Sequence, residues 1–318
     1  MARRPRVRFL YRSSSLYLGS TQMRGFQICS LARERLGDRF DFAMQSVPNL
    51  RKLGIERAWI AMQPRDTVFI LIKDAVDRFS QEGLERLQRK SAGVALDHID
   101  RHRHIMPPRG IDIHISASVS GVSAMKGRIA ELEGTPEAIE GDVALLLHGV
   151  DQRLYELPKA TYDRFRAAYL GSPHVTTIPE EIADQIKVVD ATTTEKMAEN
   201  YRAISGYNFH YAIRKIVEYP HLRGRKPFTK AFTAAVLGAN VITHADEDDA
   251  LLLLDESYPY MATSTDHQEI VEVMHKAKRT FGGPDWTHAQ KEMTRLAEMV
   301  SFDTQAADLE AILLRLLD

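Results

Sequence analysis

Gly224-Arg225-Lys226-Pro227-Phe228-Thr229-Lys230-Ala231-Phe232-Thr233-Ala234-Ala235-Val236-Leu237-Gly238-Ala239-Asn240-Val241-Ile242-Thr243 runs as a basic loop through a proline into a helix of small residues, stops at a glycine, and re-enters as a short apolar strand. The first turn of a helix leaves backbone N–H groups unpaired and carries the positive end of the helix dipole. Lys226 and Lys230 beside that turn make a corner suited to a phosphate.

The same alternation of short apolar runs and amphipathic stretches extends outward over most of the chain, which predicts βα units and parallel sheets. In the first half, strands are predicted at Val7 to Tyr11, Asp41 to Gln45, Thr67 to Ile72, Gly93 to Leu96, Ile111 to Ser116 and Val143 to Leu147. Helical spacing marks Gly25 to Leu36, Leu50 to Met62 and Gln81 to Arg89. His98 to Arg109, rich in His and Arg and ending in Pro107-Pro108, reads as a surface connection. A second alternation follows Asp151, with strands at Arg166 to Leu170, Ile186 to Val189, Asn208 to Ala212 and Asn240 to Thr243, and helices at Thr194 to Ile204 and Pro227 to Leu237. From Asp266 onward the pattern is helical: His267 to Thr280, Thr287 to Val300 and Asp303 to Leu317.

The 318 residues exceed what one hydrophobic core usually organises, so two domains are expected. Lys and Arg number 42 against 43 Asp and Glu, a balance that argues against binding nucleic acid by charge. Cys29, the single cysteine, allows no internal disulfide, fits a reducing, cytoplasmic setting and reads as buried packing. The basic N-terminus leads only into Phe9-Leu10-Tyr11, which is no signal-peptide core, and no apolar run approaches the ~20 residues of a membrane span. Peripheral contact with a membrane surface stays open, as does the oligomeric state.

Two successive α/β sheets, His148-Gly149-Val150-Asp151 near their junction, and the element Lys230-x-x-Thr233-Ala234-x-x-x-Gly238-x-x-Val241-Ile242 together resemble a GT-B-fold glycosyltransferase of the retaining, nucleotide-sugar-dependent kind. In that family the late element reads Lys-x-x-Glu-Ala-x-x-x-Gly-x-Pro-Val-Ile, and its glutamate binds the donor ribose. Here Thr233 holds the glutamate position and Asn240 the proline position. The resemblance implies an α/β protein of two Rossmann-like domains facing across a cleft, with a helical C-terminal segment. We expect residues 1–153 to form the acceptor-side domain, and 154–318, terminal helices included, the donor domain. The implied activity moves a sugar from a nucleotide-diphosphate donor to a carbohydrate, glycolipid or other hydroxyl acceptor, independently of metal. No cofactor is expected beyond the nucleotide sugar as co-substrate.

Ligands of open α/β sheets bind beyond the C-terminal ends of the strands. Arg214 follows one predicted strand, and Lys226 and Lys230 open the next helix, so the three are expected to share the donor diphosphate. Thr233 is assigned to the nucleoside, and Asp246 and Asp248, in the loop after the following strand, to donor sugar hydroxyls. Asp246-Glu247-Asp248-Asp249 also has the look of an Asp-x-Asp metal motif, but carboxylates at a helix start complement its dipole without a metal. His98, His102 and His104 lack the ligand spacing of a zinc site. On the acceptor side, Gly19 and Ser20 follow the first strand, Asp97 and His98 the fourth, Ser116 the fifth and His148 the sixth. Asp97, His98 and His148 are the candidates for accepting the acceptor's proton or orienting the sugar, with a structural role for each as the alternative. No Gly-x-Ser-x-Gly elbow surrounds Ser116, which sets a hydrolase triad aside. Trp59 reads as core, and Tyr258 and Tyr260 as partners for a base, a sugar or their own loop. A nucleotide-sugar epimerase and a catalytically silent, glycosyltransferase-like binding subunit are the competing readings.

Overall fold

The computed structural model describes residues 4–99, 106–192, 195–215 and 226–318. Arg223, Gly224, Arg225, His102 and His104 lie outside the described residues. By its contacts the chain divides into two compact units, residues 1–147 with 302–318, and residues 148–301.

The first unit is built on a six-stranded sheet of β1 (Arg6–Arg12), β2 (Asp41–Val47), β3 (Thr67–Ile72), β4 (Gly93–Asp97), β5 (Ile113–Ser116) and β6 (Asp142–Leu145). Its order is β2-β1-β3-β4-β5-β6, with every pairing parallel. Every residue of β3 and β4 is buried, which is why these strands read as continuous apolar runs and not as alternating ones. On one side, Trp59 packs against the rings of Phe69 and Phe79 at 6.4 and 5.6 Å, as expected of a core residue. On the other, the buried Cys29 lies in a cluster with Val7, Phe9, Ile28 and Ala32.

The final helix, Phe302–Leu317, joins this second cluster through Leu309, Ile312, Leu313 and Leu316. Its expected place in the donor domain is therefore corrected: the helix belongs to the first unit. Gly93 makes room for it, since a Cβ there would lie 2.9 Å from the Leu316 Cβ. Arg35 and Asp303, 3.3 Å apart, join the helix to the one at Ile28–Leu36.

The second unit carries β7 (Ala167–Gly171), β8 (Ile186–Asp190), β9 (Phe209–Tyr211), β10 (Asn240–His244) and β11 (Met261–Ala262) in the order β11-β10-β9-β7-β8, again all parallel. Helix Pro284–Met299 sets the buried Trp286 against Phe209 and Tyr260, each ring 5.9 Å away. The Tyr258 hydroxyl donates to the Val241 carbonyl at 2.8 Å, and that of Tyr260 meets the Thr280 hydroxyl at 2.8 Å. Both tyrosines are thus spent on the core and not on a base or sugar. In each sheet the chain leaves the first strand to one side and returns to continue on the other, so a topological switch point lies between β1 and β3 and another between β7 and β9.

Candidate functional site

The switch point of the second sheet gathers a cluster of charges from three connections. β7 ends at Gly171, whose φ of +149° favours glycine; a Cβ there would meet the Lys230 Nζ at 2.6 Å. Lys230 stands in the first turn of helix Thr229–Val236, which has no side-chain cap of its own. Its ammonium donates to the Leu170 carbonyl at 2.6 Å and lies 4.0 Å from the centre of the Tyr169 ring. Burial, and after it the charge of Arg214, draws the Lys230 pKa down to about 7.

Arg214, following β9, sets Nη1 3.0 Å from Oε1 of Glu247, which sits in the turn after β10. Burial raises the Glu247 carboxyl against the pull of Arg214. The backbone N–H of Lys226 donates to Asp248 at 2.9 Å, tying the basic segment to the acidic turn. Arg214, Lys230, Lys226 and Asp248 are therefore brought to one place, as the sequence placed them. Thr233 lies one turn beyond Lys230, partly buried, and Asp246 is exposed. Glu247 and His244 complete the cluster and were not singled out from sequence. A run of four carboxylates reads as a helix start and does not rank its members; Glu247 and Asp249 are both buried, and the approach of Arg214 and His244 is what marks Glu247.

In the first unit the expected residues are placed differently. Asp97 ends β4 and its Oδ2 accepts from Nε of Arg24 at 2.8 Å, with Nη2 2.7 Å away as an ion-pair contact, while Oδ1 accepts from the Ile99 N–H at 3.0 Å. Both side chains of the pair are almost wholly buried, and Arg24 also donates to the Leu147 carbonyl at 2.8 Å. Asp97 thereby serves as the counter-charge of Arg24, in place of the proton acceptor expected from its position. Arg24 belongs to a π-helical stretch, Gln22–Gln27, that follows the short helix Gly19–Thr21 and leads into Ile28–Leu36.

His98 meets His114 across 3.0 Å, Nε2 to Nδ1, and His114 Nε2 meets the Glu140 carbonyl at 3.0 Å. The carbonyl accepts only, so the network assigns the proton of His114 to Nε2 and has His98 donate to its Nδ1. Burial draws His114 down to about 4, which keeps it neutral. The Ser116 hydroxyl is turned to its own loop, donating to the Ser118 carbonyl at 2.8 Å, while the Ser118 hydroxyl caps helix Val119–Leu132. Gly19 is exposed, and the Ser20 hydroxyl accepts from the Lys73 ammonium at 3.5 Å. His148, expected on the acceptor side, is the first residue of the second unit, and its Nδ1 donates to the Gly149 carbonyl at 2.7 Å.

No protein-family model and no curated protein matches the chain at a significant level. Solved structures do. The sucrose-phosphate synthase of Thermosynechococcus elongatus superposes with a TM-score of 0.62 at 11% identity, covering 98% of this chain and 99% of that one. A glycosyltransferase from Rickettsia africae gives 0.62 at 9% identity, with all of both chains covered. The fold is GT-B. Anabaena HepE, solved in complex with UDP, matches with a TM-score of 0.59 at 11% identity over 97% of this chain and 99% of its own. The GT-B architecture expected from the two α/β halves and the late Lys-Thr-Ala-Gly-Val-Ile element thus agrees with the solved structures. Among the described residues, no helix is long and apolar enough to cross a membrane.

Proposed function

We propose that the chain is a glycosyltransferase that moves a sugar from a nucleotide-diphosphate donor to a hydroxyl acceptor. The observation that carries this reading is the meeting of Arg214, Lys230 and the uncapped start of helix Thr229–Val236 at the switch point of the second sheet, in a chain of GT-B fold. A diphosphate leaving group gathers negative charge as the glycosidic bond breaks. Fixed cations and backbone N–H groups aimed at it lower that barrier most when they are already in place. Arg214 is suited to a two-point contact with a phosphate and Lys230 to a point charge, and Gly171 keeps the strand end clear for the Lys230 ammonium. In this reading the protein's own cations replace a metal, and no cofactor besides the donor is required.

The nucleoside lies towards Thr233, Asp246 and Asp248 face the donor sugar, and the residues around His98, Gly19 and Ser20 are assigned to the acceptor. The leaving phosphate takes the acceptor's proton, so the sugar is transferred with retention and no separate base is needed. One observation favours the catalytically silent alternative: Thr233 stands where the resemblance expects the charged ribose ligand.

Calorimetric titration with UDP-, GDP- and ADP-sugars, with and without chelator, tests the reading. At least one should bind without metal, and Lys230→Met should weaken it at least tenfold, the scale of one charge-assisted contact. Binding of none, or unchanged affinity in the folded variant, refutes the assignment. Binding without release of nucleoside diphosphate over a panel of sugar acceptors identifies the silent subunit.

A further inference from the structure

His244 closes β10 with 3% of its surface exposed, and neither ring nitrogen has a hydrogen-bond partner among the described residues. Its neighbour is Glu247, whose Oε2 lies 3.8 Å from Nε2, beyond hydrogen-bond reach. Oε1 of the same carboxylate faces Arg214 at 3.0 Å, charge against charge, without the direction of a hydrogen bond. Burial holds the imidazole neutral, with Arg214 adding to the effect and Asp246 and Asp248 opposing it. A neutral imidazole has one N–H to give and one lone pair to fill. Leaving such groups buried and unmade costs about 1–3 kcal/mol each, so a polar group from outside the described residues would be bound favourably here.

The chemistry of that missing group can be narrowed. A phosphate oxygen only accepts, and it would stand against the Glu247 carboxylate. A hydroxyl both gives and takes one hydrogen bond. Its oxygen fits between two atoms 3.8 Å apart at about 2.8 Å from each. The pair adjoins Arg214 and, through the charge of Glu247, Lys230, the cations assigned above to the diphosphate.

We propose that His244 and Glu247 together recognise a hydroxyl group of the nucleotide-sugar donor. This rests on the donor-site reading. The hydroxyl belongs either to the ribose or to the transferred sugar. In both cases it donates to the Glu247 carboxylate and accepts from the His244 N–H, or donates to the bare ring nitrogen in the other tautomer.

The full chain is titrated with UDP, GDP and ADP, each against its 2′-deoxy and 3′-deoxy form, and with the corresponding glucose nucleotides against their deoxyglucose forms. The wild type should prefer one hydroxyl-bearing ligand over its deoxy partner by about ten- to hundredfold, the worth of a hydrogen bond to a charged or buried partner. His244→Phe and Glu247→Leu should bring that ratio towards one, whatever they do to absolute affinity, and His244→Asn, which keeps a donor and an acceptor, should restore part of it. Loss of preference among the free diphosphates assigns the hydroxyl to the ribose; loss confined to the glucose nucleotides assigns it to the sugar. As a check independent of the variants' folding, the ring nitrogens of His244 in the wild type should shift in 15N spectra on adding the hydroxyl-bearing ligand and not the deoxy one. A wild-type preference retained in the folded variants, or ring nitrogens that respond equally to both ligands, overturns the inference while leaving the donor site standing. Failure of every diphosphate to bind the wild type overturns the donor site and the inference with it.

Discussion

Lys230 is held near neutrality by burial first and by Arg214 second, and this makes donor affinity depend on pH in a stated direction. With a pKa of about 7, half of the unliganded molecules carry the ammonium at neutral pH. A nucleotide-sugar diphosphate is a diester and has no group of its own that titrates between about pH 6 and 9. It binds the charged lysine better than the neutral one, so binding raises the lysine's pKa and draws in a proton. Affinity is therefore greatest below pH 7 and is lost as the pH rises through the unliganded pKa. Each pH unit well above that value costs about 1.4 kcal/mol, or tenfold, and from pH 7 to 9 the sum is roughly fiftyfold. Tyr169, beneath the ammonium, is pushed up to about 12 by burial and stays outside this window.

The assay is calorimetry of nucleotide-sugar binding across pH 6.5 to 9 in buffers of different ionisation heat, which also counts protons. Uptake should be about half a proton at pH 7 and approach one by pH 8.5. Lys230→Met should bind more weakly and lose most of the slope. A flat profile in the wild type, or a slope that survives in Lys230→Met, refutes the link between this ammonium and the donor.

Three further outcomes test other parts of the structure. Gly171→Ala places a methyl group 2.6 Å from the Lys230 Nζ and 2.8 Å from the Tyr169 hydroxyl, so donor affinity should fall by more than tenfold as the lysine is displaced; calorimetry showing wild-type affinity would contradict the crowding. Asp97→Asn leaves Arg24 as a buried cation without its charge partner. It should cost about 3–5 kcal/mol in urea unfolding, most of it recovered in an Arg24→Met, Asp97→Leu double variant, and a mild effect would show the pair to be dispensable. Removal of residues 302–318 uncovers the cluster against Leu309, Ile312, Leu313 and Leu316. At about 1.5–3 kcal/mol for each apolar side chain, the loss matches a typical domain's whole stability. Hydrogen exchange should then speed up throughout β1 to β6, and protection kept at its full level would place the helix's contribution elsewhere.

Strands β1 to β10 were legible because each is an apolar run bounded by polar turns, and the predicted ends differ from the observed ones by a residue or two. β11 is two residues long and leaves no pattern to read. Helix Val119–Leu132 escaped because Gly121 and Gly127 interrupt its apolar spacing. The single helix expected from Leu50 to Met62 is divided at Gly54, where φ is +63° and the chain turns out of the helix. In the candidate site, Arg214, Lys226 and Lys230 were legible from their places at a strand end and a helix start. Asp97 and Ser116 were placed correctly at strand ends; Ser116 is taken up locally by Ser118, two residues on, whereas Arg24, which occupies Asp97, comes from a helical stretch 73 residues away whose approach no local pattern encodes.

By itself the sequence determined the two parallel α/β halves, the basic corner at the start of the 229–236 helix and the amphipathic character of the last helix, because strand and helix periodicity and the chemistry of a helix start are local properties. Only the tertiary structure decided which sheet that last helix covers, since an apolar stripe fits any apolar face and carries no address. Tertiary packing likewise turned one carboxylate in a run of four, and one histidine among twelve, into a buried pair beside Arg214 and Lys230. Burial and the absence of a hydrogen-bond partner arise only where distant segments meet, and no spacing along the chain records them.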